Sequence, residues 1–226
     1  MKKLLLLLSA LTLTACGSKG PPIPDWKTDS SNFIERYKKT YLMGENTVAD
    51  RFFEQAVSAT SGAGKVAETA RLWLIQCALH KASLATDSCE RYAEMAKTDT
   101  TAEDKAYFQF LTGHWEQLDV KALPAHYVPI LKTATGDVAH TNAALSAMTD
   151  PLSRLIGASL LLERKQVNDE TLALATQTAS DQGWRRPLLV YLKLRGSRAQ
   201  ERGDTDAQER LNVQIKLVEE AIGQPK

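Results

Sequence analysis

From Phe33 onward, apolar residues recur at helical rather than alternating spacing. Ala67, Ala70, Leu74, Cys77, Ala78 and Lys81 fall at i, i+3, i+7, i+10, i+11 and i+14, one face of a helix. Cys89, Tyr92, Ala93 and Ala96 repeat the pattern, and Leu211, Ile215, Val218 and Ile222 form one stripe near the C-terminus. Alanine and leucine dominate, and no run of β-branched residues marks a strand.

Start and stop signals separate the stripes. Thr100 to Glu103 and Thr205 to Gln208 fit the capping box, in which each side chain satisfies a free backbone N–H of the other. Asp150 before Pro151 places a cap ahead of a first-turn proline. Gly183, Gly203 and Gly223 lie where helices should end in a left-handed residue. These signals predict an all-α chain of roughly ten helices joined by short turns, which makes sequential helices antiparallel neighbours. The architecture expected is a stack of helical hairpins or an irregular helical bundle.

Two helix openings, Ala67-Glu68-Thr69 and Ala102-Glu103-Asp104, lie 35 residues apart, each followed by an aromatic-rich turn (Leu72-Trp73 and Tyr107-Phe108). The spacing resembles that of a tetratricopeptide (TPR) hairpin. The segments from about Pro187 to Arg202 and Thr205 to Ile222, with Gly203-Asp204 between them, resemble it too. The small-and-large residue pattern of the family is incomplete, and the alanine expected after Gly203 is displaced to Ala207. The resemblance implies a TPR-like solenoid, with a concave surface suited to binding peptides or subunits.

The N-terminus has a different character. Lys2 and Lys3 precede an apolar stretch that begins at Leu4 and ends in Leu13-Thr14-Ala15-Cys16. It is a signal-peptide pattern, too short to span a bilayer. Its end resembles the bacterial lipobox, and Cys16-Gly17-Ser18-Lys19-Gly20-Pro21 resembles the start of many outer-membrane lipoproteins. The resemblance implies cleavage of residues 1–15 and lipidation of Cys16, palmitate included. It implies anchorage in the outer membrane facing the periplasm. Acyl chains contribute roughly 0.8 kcal/mol per buried methylene, so two or three make a durable anchor. Glycine and proline then predict a tether over 16–32, with Trp26 docked on the domain edge or on lipid headgroups. The helical domain is expected over 33–226.

Removing fifteen residues from 226 leaves 211, enough for one large domain or two small ones. Lys2 and Lys3 leave with the signal, so 26 basic side chains face 27 acidic ones, a net charge of −1. That balance predicts no bulk grip on nucleic acid.

The compartment gives Cys77 and Cys89 a meaning. Their midpoint falls in Ser83-Leu84-Ala85-Thr86, the expected turn of a hairpin, so the two side chains should face each other across antiparallel helices. An oxidising environment predicts a Cys77–Cys89 disulfide.

Catalytic patterns are missing. Ser61-Gly62-Ala63-Gly64-Lys65-Val66 resembles a phosphate loop superficially, but has Ala59 in place of its first glycine and Val66 in place of the metal-binding hydroxyl. It reads as an inter-helix turn. His80, His114, His126 and His140 never pair at i+3 or i+4, so no metal site is expected, and no cofactor. Trp73, Tyr107, Phe108, Phe110 and Trp115 read as core. Between Gly183 and Gln200, Arg185, Arg186, Lys193, Arg195 and Arg198 occur without an acidic residue. Arg195, Arg198 and Arg202 share one helix face and are the candidate partner-binding residues. The alternative is a solvated face neutralised by Glu201, Asp204 and Asp206. The leading expectation is a non-enzymatic interaction or assembly scaffold whose partner is another envelope protein. A cell-envelope enzyme or regulator, acting for instance on peptidoglycan, and a structural lipoprotein without ligand are the alternatives. The sequence leaves the oligomeric state open.

Overall fold

The computed structural model describes residues 22–133 and 136–223. Cys16 and the signal-like segment lie outside the described residues. Among the described residues there is no strand, and the fold is all-α. The described residues form eleven α-helices, in order: α1 (Asp25–Met43), α2 (Asn46–Gly62), α3 (Val66–Ala82), α4 (Glu90–Met95), α5 (Ala102–Leu111), α6 (Val128–Thr133), α7 (Val138–Ala147), α8 (Pro151–Glu163), α9 (Asp169–Asp181), α10 (Arg185–Glu201) and α11 (Thr205–Gly223). None of these helices is long and apolar enough to cross a membrane.

Several termini form where the residues dictate. Asp150 accepts a hydrogen bond from the Ser153 N–H at 2.7 Å, and Pro151 occupies the first turn. Gly183 and Gly203 adopt φ of +65° and +69°, a region that costs glycine little. Within the loop-like Ser61 to Val66 segment, Ala63 to Lys65 form the turn between α2 and α3, while Ser61 and Gly62 complete α2 and Val66 opens α3. Other boundaries correct the sequence reading. Thr101, not Thr100, caps α5, accepting from the Asp104 N–H, while Thr100 pairs its hydroxyl with that of Tyr92. Ahead of α11 the cap is Asp204, which accepts from the Ala207 N–H. Gly223 is the last residue of α11 rather than a residue beyond it.

The expected 16–32 tether shortens as well, because α1 begins at Asp25. Eight polar-rich residues join the helix because one face of them is covered. Ser30 is buried, and the Lys65 ammonium sits 5.5 Å from the half-buried Trp26 ring. Packing thereby overrides weak propensity, and Trp26 docks on the edge of its own domain.

Neighbouring helices pack in chain order at both ends: α1 on α2, α2 on α3, then α8 on α9, α9 on α10 and α10 on α11. The middle departs from this order. Helix α3 packs against α8, five helices later, and α1 reaches α10. The segment α4–α7 is therefore an excursion beside a main stack. Where α8 passes α6 and α7 it needs Gly157, since a Cβ there would stand 2.9 Å from Leu145 and 3.3 Å from Ile130. The larger core runs through α3, α5, α8 and α9 (Leu74, Phe110, Leu155, Leu160 and Leu172 among others), and a second joins α1 and α2 to α3 through Tyr37, Phe53 and Leu79. The five predicted core aromatics all pack on these clusters. Phe110 lies flat against Trp115 at 5.5 Å, and Trp73 meets Phe53 edge-on at 4.8 Å.

Candidate functional site

Helix α10 is flanked by α9 and α11 and carries the predicted basic stretch. At its start, Arg185 and Arg186 act as straps. Arg185 donates to the Ala221 carbonyl near the end of α11 at 2.9 Å. Arg186 donates to the Tyr41 carbonyl at 2.6 Å and to Asn46, with its guanidinium 4.0 Å from the Tyr41 ring. Together they tie the α1–α2 turn and α11 to α10, and Ile222 comes close to Gly44 in the same corner.

The three arginines predicted to act as one face divide. Arg202 and Arg198 reach the same carboxylate, Asp169, at 2.7 and 3.6 Å. Asp169 is held in place by local structure. Asn168 caps α9 through a box with Thr171, the Asn168 side chain accepting at 3.0 Å and the Thr171 hydroxyl at 3.1 Å, and this sets Asp169 in the first turn. Lys193 pairs with Glu219 at 2.6 Å. The neutralising carboxylates are therefore those of α9 and α11, rather than Glu201, Asp204 and Asp206. They could not be read from spacing because they come from other helices. Arg195 alone of this set has no ion-pair or hydrogen-bond partner among the described residues.

Arg195 stands on the wall of a groove of about 390 Å³. Ala173 and Thr176 of α9, Leu188 and Leu192 of α10, and Leu217 and Val218 of α11 line it. Leu217 is 61% exposed, and Val213, one turn earlier, is 62% exposed. These two belong to α11 but fall off its inward stripe of Leu211, Ile215, Val218 and Ile222. Of the two, Leu217 lines the groove, and an apolar residue off the main stripe of α11 is the sequence signal for it. The site offers leucine and valine side chains together with Gln177, Ser180 and Gln214, beside one guanidinium unpaired among the described residues, a fork suited to a carboxylate.

Cys77 and Cys89 form the predicted disulfide, their Cα atoms 5.4 Å apart. The geometry around it differs from a simple hairpin. Cys89 is not on a helix stripe but at the N-cap of α4, with φ of +56°. Asp87 organises this loop. One of its oxygens accepts from the Cys89 N–H at 2.7 Å, and the other meets His80 Nδ1 at 2.5 Å. The hydrogen bond to His80 holds the Asp87 carboxyl below its ordinary range, against the opposing effect of burial. Cys77, Asp87 and Cys89 bring potential ligand atoms within 4.8 Å of one another, but both sulfurs are consumed by the disulfide and offer no thiolate. Of the other histidines, His126 meets the Ser153 hydroxyl at 3.1 Å and His114 the Thr112 hydroxyl at 2.9 Å, while the exposed His140 lies 3.9 Å from Asp137.

No protein-family model, characterised protein or solved structure matches this chain.

Proposed function

We propose that this protein is a lipid-anchored envelope lipoprotein whose helical domain is an interaction scaffold. Its α9–α11 groove receives an acidic amphipathic segment of another envelope protein. The observation that carries this reading is Arg195, a guanidinium without a partner among the described residues, on the wall of a groove that also holds exposed Leu217. Apolar area supplies the affinity, and one carboxylate fixes the register of the segment. The anchor rests on the lipobox-like Leu13-Thr14-Ala15-Cys16. It places the groove within reach of other membrane-bound proteins, and the role is assembly rather than catalysis.

A photoreactive residue at Gln214, on the groove wall, tests the docking in living cells. We expect one dominant crosslinked partner, lost with Arg195→Glu and with Leu217→Asp. Arg198→Glu should leave the adduct while loosening α9, because that arginine serves Asp169. A crosslink unchanged by Arg195→Glu would remove the groove from the proposal. Labelling with an alkyne fatty acid tests the anchor, and Cys16→Ser should abolish it.

A further inference from the structure

A second cavity, of about 420 Å³, lies between α4 and α5, remote in sequence from the C-terminal groove. Tyr92 and Phe108 form its apolar floor, with ring centroids 5.1 Å apart. Around them stand Lys97, Lys105 and His114, and no carboxylate shares the lining. Neither lysine has an ion-pair partner among the described residues. Other cations nearby are neutralised, Arg71 by Asp104 at 2.8 Å and Arg91 by Glu94 at 3.3 Å. Asp104 and Glu94 are thus engaged by arginines outside the lining, and the two lysines border an aromatic floor.

The floor is fixed from two directions. The Tyr92 hydroxyl meets the Thr100 hydroxyl at 2.8 Å, which ties α4 to the segment that leads into α5. Cys89, three residues before Tyr92, is the disulfide N-cap of α4. A six-residue helix has little stability of its own, so the disulfide holds this wall of the cavity in position. Pre-set walls lower the ordering cost of binding.

We propose that the α4–α5 cavity is a binding site for a small organic anion with a flat apolar body, such as an aromatic carboxylate or sulfonate. The apolar body covers Phe108 while the anionic group lies between Lys97 and Lys105. This site is independent of the α9–α11 groove. A lipid headgroup would present the same combination of chemistry, so the test separates the two sources.

The test uses anilinonaphthalene sulfonate as a fluorescent anionic probe and phenylnaphthylamine as its uncharged counterpart, each titrated into the oxidised protein. Saturable sulfonate binding is expected, with Lys97→Glu/Lys105→Glu weakening it by about tenfold or more at low ionic strength. The uncharged probe should bind that variant as it binds the parent. Both lysines are exposed, and an unchanged melting temperature in the variant confirms intact folding. Soluble naphthoate should displace the sulfonate, and phosphatidylglycerol vesicles should not. Sulfonate affinity indifferent to the lysine reversal would overturn the proposal. So would loss of the signal in Leu217→Asp, which would place the probe in the other groove, or displacement by vesicles alone, which would assign the anion to a lipid surface.

Discussion

Helices α3 and α11 are close in length, 17 and 19 residues, and both show regular apolar spacing, yet they meet opposite surroundings. Nine residues of α3 are buried, and its neighbours include α1, α2, α5 and α8. On α11, Leu211 is buried, while Val213 and Leu217 face solvent. The difference begins in composition. Helix α3 carries apolar residues around its whole circumference (Leu72, Trp73, Leu74, Ile75, Cys77, Ala78, Leu79), which a helix does when it is surrounded. Helix α11 has one inward stripe plus an additional apolar pair. The centre of the stack is committed to stability, whereas its C-terminal end keeps apolar surface uncovered.

The core of α3 should give the largest loss of stability. Leu79→Ala should cost about 3–5 kcal/mol in urea unfolding, because a fully buried side chain leaves a cavity between α1 and α3. Leu217→Ala should shift stability by less than about 0.5 kcal/mol. Equal costs would show that α11 is covered and that its groove is not free. Next in size is the disulfide. Replacing Cys77 and Cys89 with alanine opens a loop with a sequence separation of 12 and should lower stability by about 3 kcal/mol in the chain-entropy account. Denaturation with and without reductant reads the same quantity in the parent protein.

A smaller effect than that of the disulfide lies in the loop it closes. The Asp87 carboxyl is depressed below its ordinary value of 3.8, chiefly by the His80 hydrogen bond. A depressed acid contributes stability that is present above its unfolded pKa and is lost as the pH falls through its folded pKa. The loss should therefore appear below about pH 4. Asp87→Asn should remove that part of the acid dependence, and should destabilise by about 1 kcal/mol at neutral pH through the weakened bond to His80. An acid-unfolding curve for Asp87→Asn that superimposes on the parent curve would discount the pairing.

Local chemistry was legible where the determinant lies within a few residues. The Asp150-Pro151 cap, the left-handed Gly183 and Gly203, the Ala63-Gly64 turn and the helical periods were all of this kind. The errors are local competitions settled by distant contacts. Thr100 resembles a cap as well as Thr101 does, but its hydroxyl is taken by Tyr92. Residues 25–32 look like tether, because nothing in their own composition reveals Lys65 beneath Trp26. Cys89 was paired correctly with Cys77 and placed wrongly on a helix face, since the Asp87 contacts that shape the loop have no signature at helical spacing.

The candidate sites divide in the same way. The basic stretch from Arg185 to Arg202 was visible as composition, but the role of each side chain was not. Arg185 and Arg186 serve carbonyls and a ring from remote elements, Arg198 and Arg202 serve Asp169, and Lys193 serves Glu219. Charge pairing depends on distances between helices that meet only on folding, so linear spacing cannot assign it. The α4–α5 cavity was invisible for the same reason, its aromatic floor and its two lysines coming from separate segments.

By itself, then, the sequence determined that the chain is helical, where many of its helices start and stop, and that Cys77 pairs with Cys89. Backbone hydrogen bonding, capping and short-loop closure are set by neighbours in the chain. Only the tertiary structure decided that α3 lies against α8, that of Arg195, Arg198 and Arg202 it is Arg195 that has no carboxylate among the described residues, and that Lys97 and Lys105 border one cavity. Those outcomes depend on which surfaces meet across long stretches of chain, where burial, pairing and exposure are properties of the assembled stack.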